Sequence, residues 1–240
     1  MHLTPKLPHS AASFTMSSLC QICIVLFFSV LVSVVSSQAA TEPTTPIPIS
    51  ASSFSFARGA MSSDIVVDMW IDLGCSDCMN DWPTLEEVYA GYQNKVKFVY
   101  RLLPLPYHQF AFLLAKSAAC VAVHSADADD VFDFFNTVYD PPNQALIYNS
   151  VTADMSYNSV MEDIVSKFVT NSSSITAEDY VKFMAEDYDL ESNTRYGFKN
   201  AAIRGIYATP TFTVNGVTVQ SGLDSFEDWQ EMLDSLTNEL

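Results

Sequence analysis

The chain has 240 residues, of which 49% are hydrophobic and 16% charged, so it holds enough apolar material for a packed core and extensive disorder is excluded. The formal net charge is −17, and no window is rich in lysine and arginine, so nucleic acid is excluded as an expected partner because the chain would repel a phosphate backbone. The length fits one large domain or a domain that carries an insertion.

The N-terminal segment has the order of a secretory signal. A weakly basic stretch with Lys6 precedes the apolar run 19–35, and small residues follow. We therefore expect a signal peptide over residues 1–37 that is cleaved near Ser37. An uncleaved membrane anchor is the alternative, since the apolar run has the length of the shortest membrane spans. No second apolar run of this length follows, so no membrane association is expected after cleavage.

Residues 38–55 are rich in proline, serine and threonine and read as a linker before the folded part. The signal directs the protein into the secretory pathway, where the lumen of the endoplasmic reticulum and the extracellular space are the two expected destinations. A bipartite signal that leads into a plastid is a third reading, because the linker could serve a second targeting step. The sequence leaves the oligomeric state open.

The hydrophobic pattern predicts the remaining elements in chain order. They are a buried strand over 65–73, a helix over 75–92, a strand over 96–103, helices over 110–123, 130–139, 159–169, 177–188 and 193–204, strands over 211–214 and 217–220, and a helix over 226–236. Pro141 and Pro142 are expected to stop the helix before them. Asn215-Gly216 is a strong hairpin signal, and Asp224 is expected to cap the last helix.

This order predicts an α/β fold in which a central sheet is flanked by helices and carries an inserted all-helical subdomain. We expect the sheet domain over 56–108 and 191–240 and the insertion over 109–190.

The cysteines divide into a candidate reactive pair and three others. Cys75 follows a buried strand at the start of a helix, where unpaired N–H groups and the helix dipole stabilise a thiolate. Cys78 lies one turn later and can close a disulfide or resolve a mixed one. Cys20 and Cys23 lie in the apolar run of the signal and are assigned no chemistry. The odd number left in the mature chain fits one redox pair plus a buried Cys120.

Two segments resemble the thioredoxin-like superfamily, and the DsbA-like family in particular. They are VDMWIDLGCSDC with Pro83 five residues later, and AAIRGIYATPTFTVNG. The resemblance implies a thioredoxin fold and thiol–disulfide exchange with protein thiols and disulfides. It also implies that Pro210 follows a cis peptide bond and that the backbone of Thr209 faces the reactive cysteine.

The chain departs from the DsbA pattern between its two cysteines, where Ser76 and Asp77 replace the usual proline and histidine. A carboxylate at Asp77 disfavours a neighbouring thiolate, so we expect a Cys75 pKa nearer the thioredoxin value of about 7 than the DsbA value of about 3.5. Asp68 and Asp72 precede the pair on the first strand. Either could transfer a proton, or serve only as a strand-end or helix-start carboxylate.

Several other residues have a functional and a structural reading. Cys120 and His124 could complete a zinc site with the cysteine pair, although a buried thiol on a core helix is the simpler reading and no metal is expected. His108 could contact a thiol or substrate, or lie on a surface loop. Asn171 begins a glycosylation sequon that we expect on a surface loop.

The sequence thus predicts a thiol–disulfide oxidoreductase whose only redox centre is the Cys75–Cys78 pair, with no bound cofactor. Two alternatives remain. One is a redox-silent binding or chaperone-like protein that keeps the fold. The other is a DsbA-like enzyme that uses glutathione as its electron partner, although such a site needs cationic or backbone anchors and the chain has only 11 Lys and Arg residues.

Overall fold

The computed structural model describes residues 55–219 and 223–238. The predicted signal peptide (1–37), Cys20 and Cys23, and the predicted linker up to residue 54 lie outside the described residues. Within the described part, no helix combines the length and the apolar character needed to cross a membrane.

A five-stranded mixed sheet forms the centre of the fold, in the order β1-β3-β2-β4-β5. The strands are β1 (Phe56–Gly59), β2 (Val66–Ile71), β3 (Lys97–Leu102), β4 (Thr211–Val214) and β5 (Val217–Val219). The central pair β2 and β3 is parallel, and the other three pairings are antiparallel. This architecture confirms the predicted thioredoxin fold with a central sheet flanked by helices.

The register brings three chain segments to one edge of the sheet. Ile71 and Leu102, the last residues of β2 and β3, are partners, and Trp70 of β2 pairs with Thr211, the first residue of β4. Because β2 and β3 are parallel and β4 runs against them, the segments after β2, after β3 and before β4 meet at this edge. These segments carry Cys75, the loop 103–110 and Thr209.

Ten α-helices and one π-helical turn are found among the described residues. They are α1 (Ser76–Tyr92), α2 (Ala111–His124), α3 (Asp130–Tyr139), α4 (Pro141–Ala145), α5 (Asn149–Thr152), α6 (Tyr157–Val160), the π turn (Met161–Val165), α7 (Ser166–Ser172), α8 (Ala177–Glu186), α9 (Tyr188–Ile203) and α10 (Phe226–Thr237). The helices α2 to α9 lie between β3 and β4 in the chain, so the predicted helical insertion is confirmed.

The two faces of the sheet pack against different helices because side chains alternate along each strand. Met69 and Ile71 of β2 belong to the main core, which also contains Leu85 and Val88 of α1. Trp70 points to the opposite face and forms a smaller cluster. Its other members are Leu103, Leu105, Ala201 and Ile206, so α9 covers this second face.

The structure corrects three sequence expectations in the inserted block. Pro141 and Pro142 do stop α3, but they also begin α4, since proline needs no N–H partner in the first turn of a helix. The helix predicted over 159–169 is interrupted by the π turn. The helix predicted to begin at residue 193 begins at Tyr188, directly after Asp187, whose side chain accepts a hydrogen bond from the backbone N–H of Asp189 (3.0 Å).

Three further features differ from what the sequence indicates. Strand β1 was not predicted, because four residues with no apolar alternation carry too little pattern. Ser225, not Asp224, caps α10, because its hydroxyl and the Asp228 side chain exchange hydrogen bonds with each other's backbone N–H. Asn171 is exposed, but it lies in the last turn of α7 instead of a loop.

Strand β1 is anchored by a nearly buried arginine. The Arg58 guanidinium forms an ion pair with Glu86 of α1 and donates to the hydroxyl of Tyr100 (2.6 and 3.0 Å). It also lies 3.7 Å from the ring centroid of Tyr89. The side chain therefore holds β1, β3 and α1 together.

Replacing Arg58 by alanine should lower the free energy of unfolding by about 2–4 kcal/mol, because the Tyr100 hydroxyl loses its donor while Glu86 can still be hydrated. Chemical denaturation measures the loss. The matched control is Arg204→Ala, an exposed arginine at the end of α9, which should change stability by less than about 0.5 kcal/mol. Equal effects for the two variants would contradict this account.

Candidate functional site

The Cys75 residue lies where strand β2 turns into helix α1. Asp72, the first residue after β2, accepts a hydrogen bond from the backbone N–H of Gly74 through its side chain (2.9 Å) and from that of Cys75 through its carbonyl (2.9 Å). Cys75 is thereby held as the N-cap of α1, with its sulfur at the end of the helix where backbone N–H groups are unpaired.

The pKa of Cys75 is lowered from 9.0 to about 6. The largest cause is a hydrogen bond from Cys78, which outweighs the raising effect of burial, and Thr209 and the backbone of Cys78 and Asp77 lower it further. A thiol with this pKa is about nine-tenths thiolate at pH 7. This value agrees with the expectation of a pKa nearer 7 than 3.5.

Cys78 has the opposite character. It is fully buried in the first turns of α1, and burial, followed by the neighbouring Cys75, raises its pKa well above the usual value. Both cysteines are free thiols in the structure. One thiolate and one protonated thiol in contact are the arrangement needed for attack by the first sulfur and resolution by the second.

The loop before β4 covers the reactive sulfur, as the resemblance predicts. The Thr209–Pro210 peptide bond is cis, and the Cys75 sulfur lies 3.4 Å from the Thr209 carbonyl oxygen, to which it donates a hydrogen bond when it is protonated. The Thr209 hydroxyl is buried and has no hydrogen-bond partner among the described residues. It is thus available to donate to the thiolate. With this loop above it, Cys75 is only 5% exposed, less than its position at a helix start indicated.

Asp72 is the carboxylate that the fold brings to the site. It is 1% exposed, and one oxygen accepts hydrogen bonds from the backbone N–H of Leu105 (2.9 Å) and from Nδ1 of His108 (2.7 Å). This bond to Asp72 raises the pKa of His108 more than burial lowers it, and the charges of Cys75 and Asp77 raise it further. His108 is therefore partly buried in the loop after β3 and takes up a proton more readily than a free imidazole, and its bond to Asp72 makes it more than an exposed loop histidine.

The other two acidic candidates have different roles from Asp72. Asp68 forms an ion pair with Arg101 (2.6 Å) and accepts a hydrogen bond from the Thr213 hydroxyl (3.2 Å), so its contacts join three strands. Asp77 is exposed; its charge raises the pKa of His108, and its backbone N–H lowers the pKa of the Cys75 thiol.

The helical insertion supplies two site residues that sequence reasoning missed. The side chain of Gln144 is buried and donates to the carbonyls of Leu73 (3.2 Å) and Cys75 (3.1 Å). The buried hydroxyl of Tyr139 donates to the Asp72 carbonyl (3.1 Å). Neither residue belongs to a motif, and only the presence of a glutamine after the two prolines of α4 could have indicated a buried polar contact.

Cys120 and His124 do not join the cysteine pair. Burial raises the pKa of the Cys120 thiol to about 12, and His124 binds Asp187 (2.9 Å) while stacking on Phe183. Across residues 55–219 and 223–238, no group of three or more His, Cys, Asp and Glu side chains is arranged to hold a metal ion.

Two depressions lie on either side of the reactive cysteine. One, of about 400 Å³, is lined by the residues flanking Cys75, namely Gly74 and Ser76, and by apolar side chains of the insertion such as Phe110 and Ile147. The other, of about 650 Å³, is lined by Pro210 and Phe212 among others. A polypeptide segment can therefore approach the sulfur along the surface although the cysteine itself is nearly buried.

Replacing His108 by glutamine should raise the pKa of Cys75 by up to about one unit, because the neutral amide no longer favours the thiolate. The thiolate's ultraviolet absorbance against pH measures this in the reduced protein. Cys75→Ser should abolish the transition and Cys120→Ala should leave it in place. An unchanged midpoint in His108→Gln would show that the imidazole does not act on the sulfur.

The His108–Asp72 pair should also make stability depend on pH. Because the folded pKa of His108 is raised, the pair's full contribution is present below the unfolded value of about 6.5 and is lost as pH rises through the folded pKa. Denaturation of the reduced wild type and of His108→Gln over pH 5 to 9 tests this. The stability difference should shrink with rising pH, and a difference that grows would contradict the pairing.

Several known structures have the same fold. BdbD from Bacillus subtilis is 16% identical, with 79% of this chain and 95% of that chain covered and a TM-score of 0.61. DsbA from Chlamydia trachomatis is 16% identical, with 84% and 98% covered and a TM-score of 0.59. MdbA from Actinomyces oris, described as a thiol-disulfide oxidoreductase, is 19% identical, with 78% and 87% covered and a TM-score of 0.56.

At these identities the structural likeness shows the fold. No curated protein matches the chain. The family model described as thioredoxin matches residues 52–235, a span that includes the cysteine pair, the whole helical insertion and the cis-proline loop. The match extends over most of the chain, and this protein therefore belongs to the thioredoxin family.

Proposed function

We propose that the protein is a thiol–disulfide oxidoreductase of the secretory pathway that exchanges disulfides with client proteins through Cys75 and Cys78. The observation that carries the proposal is the divergence of the two thiol pKa values, lowered to about 6 for Cys75 and raised for Cys78. A structural pair of thiols has no need of this difference, whereas an attacking and a resolving sulfur require it.

The exchange has two balanced steps. The Cys75 thiolate attacks one sulfur of a client disulfide, the client S–S bond breaks, and the departing client thiolate takes up a proton. Cys78 then loses its proton and attacks the Cys75 sulfur, which forms the Cys75–Cys78 disulfide and releases the second client thiol. The client is reduced by two electrons and the protein is oxidised by two, and the reverse sequence oxidises a client dithiol.

The first step prepares the second. The Cys75 thiolate is one cause of the raised pKa of Cys78, through its charge and through the hydrogen bond that it accepts. Once Cys75 is bound in a mixed disulfide, that charge is gone and Cys78 can ionise more easily. The resolving thiol therefore stays protonated until a client is attached. A second thiol–disulfide couple must then restore the pair, for which glutathione or a dithiol protein is the proposed partner.

Cys78→Ala should accumulate a mixed disulfide between Cys75 and a cysteine peptide offered as its disulfide, because the resolving sulfur is missing. Mass spectrometry of the intact adduct and its digest measures this. Cys75→Ala should trap far less, and Cys120→Ala should behave like the wild type. Equal trapping by Cys75→Ala would overturn the assignment of roles. Absence of exchange in the wild type would favour the redox-silent binding protein.

The proposed location rests on the N-terminal signal and on the accessible Asn171 sequon. We expect the protein purified from secretory cells to lack about its first 37 residues. It should also carry a glycan that Asn171→Gln removes, seen as a mobility shift after glycosidase treatment. An intact terminus containing Lys6 would contradict signal cleavage. A cleaved protein without a glycan would still support entry into the secretory pathway and would contradict only the glycosylation of Asn171.

A further inference from the structure

The charges of this acidic chain are distributed unevenly. Between Glu191 and Asp224 the sequence contains no aspartate or glutamate, although it contains Arg195, Lys199 and Arg204. This interval comprises most of α9 and the loop that leads to Thr209. The segment next to the reactive cysteine is therefore positively charged in a protein with a net charge of −17.

On two faces of helix α9, residues recur at the spacing that is typical of a packing surface. Its buried stripe contains Thr194, Gly197 and Ala201 and faces β3, where a side chain at Gly197 would lie 3.2 Å from the carbonyl of Leu102. A second stripe follows the spacing i, i+3, i+4, i+7, i+8, which is typical of a helix face that packs against a partner. Its members are Arg195, Phe198, Lys199, Ala202 and Ile203.

This second stripe is exposed, although it contains large apolar side chains. Phe198 is 43% exposed, Ile203 is 69% exposed, and Tyr207, beyond the end of the helix, is 85% exposed. Isolated exposed apolar residues are common, but a regular row of them on one helix face indicates an interaction surface. The row ends two residues before Thr209, whose carbonyl contacts Cys75.

A groove of about 450 Å³ runs beside this stripe. It is lined by the loop after β3 and the start of α2 on one side and by α9 on the other. Its lining residues are Pro104, Leu105, Pro106, His108, Gln109, Phe112, Arg195, Phe198 and Lys199. None of them is acidic, and His108 at its edge is the partner of Asp72 in the active site. The groove therefore combines apolar lining residues with positive charge, and His108 connects it to the active site.

The charges near the groove leave it net positive. Glu191 is bound by Arg195 (2.7 Å) and lies 3.6 Å from Lys116, so its charge is compensated. Lys199 has its ammonium 5.5 Å from the ring centroid of Tyr196, on its own helix. Asp81, Asp224 and Arg204 line the other depression, beside Pro210, and not this groove, so the positive charges of the groove are those of Arg195 and Lys199.

We infer that the exposed face of α9 and the adjoining groove dock extended client segments in which acidic and apolar side chains accompany the reacting cysteine. Such a segment places its apolar side chains against Phe198 and Phe112 and its carboxylates near Arg195 and Lys199. A basic segment gains nothing here and is drawn instead to the acidic remainder of the surface. The inference deepens the proposed function, because it names the client class for the same cysteine pair.

The test compares disulfide-bonded peptides that differ only in the charge of the residues beside their cysteines. The acidic–apolar peptide should be reduced by the dithiol protein several-fold faster than the lysine–apolar peptide at about 0.01 M ionic strength, where charges act over about 30 Å. The two rates should converge at about 1 M, where this range is about 3 Å. Equal rates at low salt would overturn the inference, whatever the variants do.

Variants locate the effect. Lys199→Glu and Arg195→Glu should each slow the acidic peptide by about two- to fivefold, while Lys95→Glu, the same change at an exposed site near the opposite edge of the sheet, should not. Phe198→Ser should slow the acidic–apolar peptide but not an acidic peptide without apolar residues. A loss in Lys95→Glu as large as in Lys199→Glu would assign the preference to net charge and overturn the surface.

Two controls separate this inference from its premises. At about 1 M ionic strength, where its own carboxylates are screened, oxidised glutathione, too small to span the groove, should react with the wild type and with Lys199→Glu alike. If neither glutathione nor any peptide reacts, the proposed function fails, whereas reaction with all substrates at equal rates defeats only the docking surface. Sedimentation of the wild type and of Lys199→Glu tests whether a second copy of the chain occupies this surface instead. A wild-type oligomer that dissociates in Lys199→Glu would show that a second copy covers α9 and would overturn the inference.

Discussion

The buried carboxylate of Asp72 joins two segments on which the site depends, the turn that carries Cys75 and the loop after β3. Its oxygens accept hydrogen bonds from the turn before α1, from the backbone of Leu105 and from His108, while its carbonyl accepts from the backbone of Cys75. An unpaired carboxylate at this depth would be strongly disfavoured, so these donors must be in place whenever the protein is folded. The position of the reactive sulfur and the raised pKa of the nearby imidazole thus both depend on one group.

The helical insertion covers part of the fold and also stabilises the turn that carries Cys75. Gln144 satisfies two carbonyls of the turn that carries Cys75, and Trp82 of α1 donates to Asn136 of α3 (2.8 Å). Polar contacts of this kind are costly to leave unmade, so the turn keeps its shape only while the insertion stays docked. The stability of the insertion and the reactivity of the cysteine pair are therefore coupled through named hydrogen bonds.

The sequence contained the local features of this arrangement but few of the long-range ones. Cys75 at a helix start and the Asn215-Gly216 hairpin could be predicted because each depends on residues adjacent in the chain. Strand β1 and the His108–Asp72 pair depend on contacts between distant segments, and a single sequence carries no signal for them. The same limit applies to Asp68. Its position in the strand predicts the face of the sheet on which its side chain lies, but it does not predict that Arg101 is its ion-pair partner.

The burial of Cys120 limits which thiols can take part in the proposed disulfide exchange. With a pKa of about 12, its thiol is ionised in only about one molecule in 10⁵ at pH 7, and it lies fully enclosed in α2. A third thiol of ordinary reactivity could capture the mixed disulfide or pair wrongly with Cys75 and leave the protein in an inactive oxidised form. Because this thiol is silent, a mixed disulfide at Cys75 in the proposed exchange is resolved by Cys78 and not by Cys120, and repeated cycles would not accumulate protein with a Cys75–Cys120 disulfide.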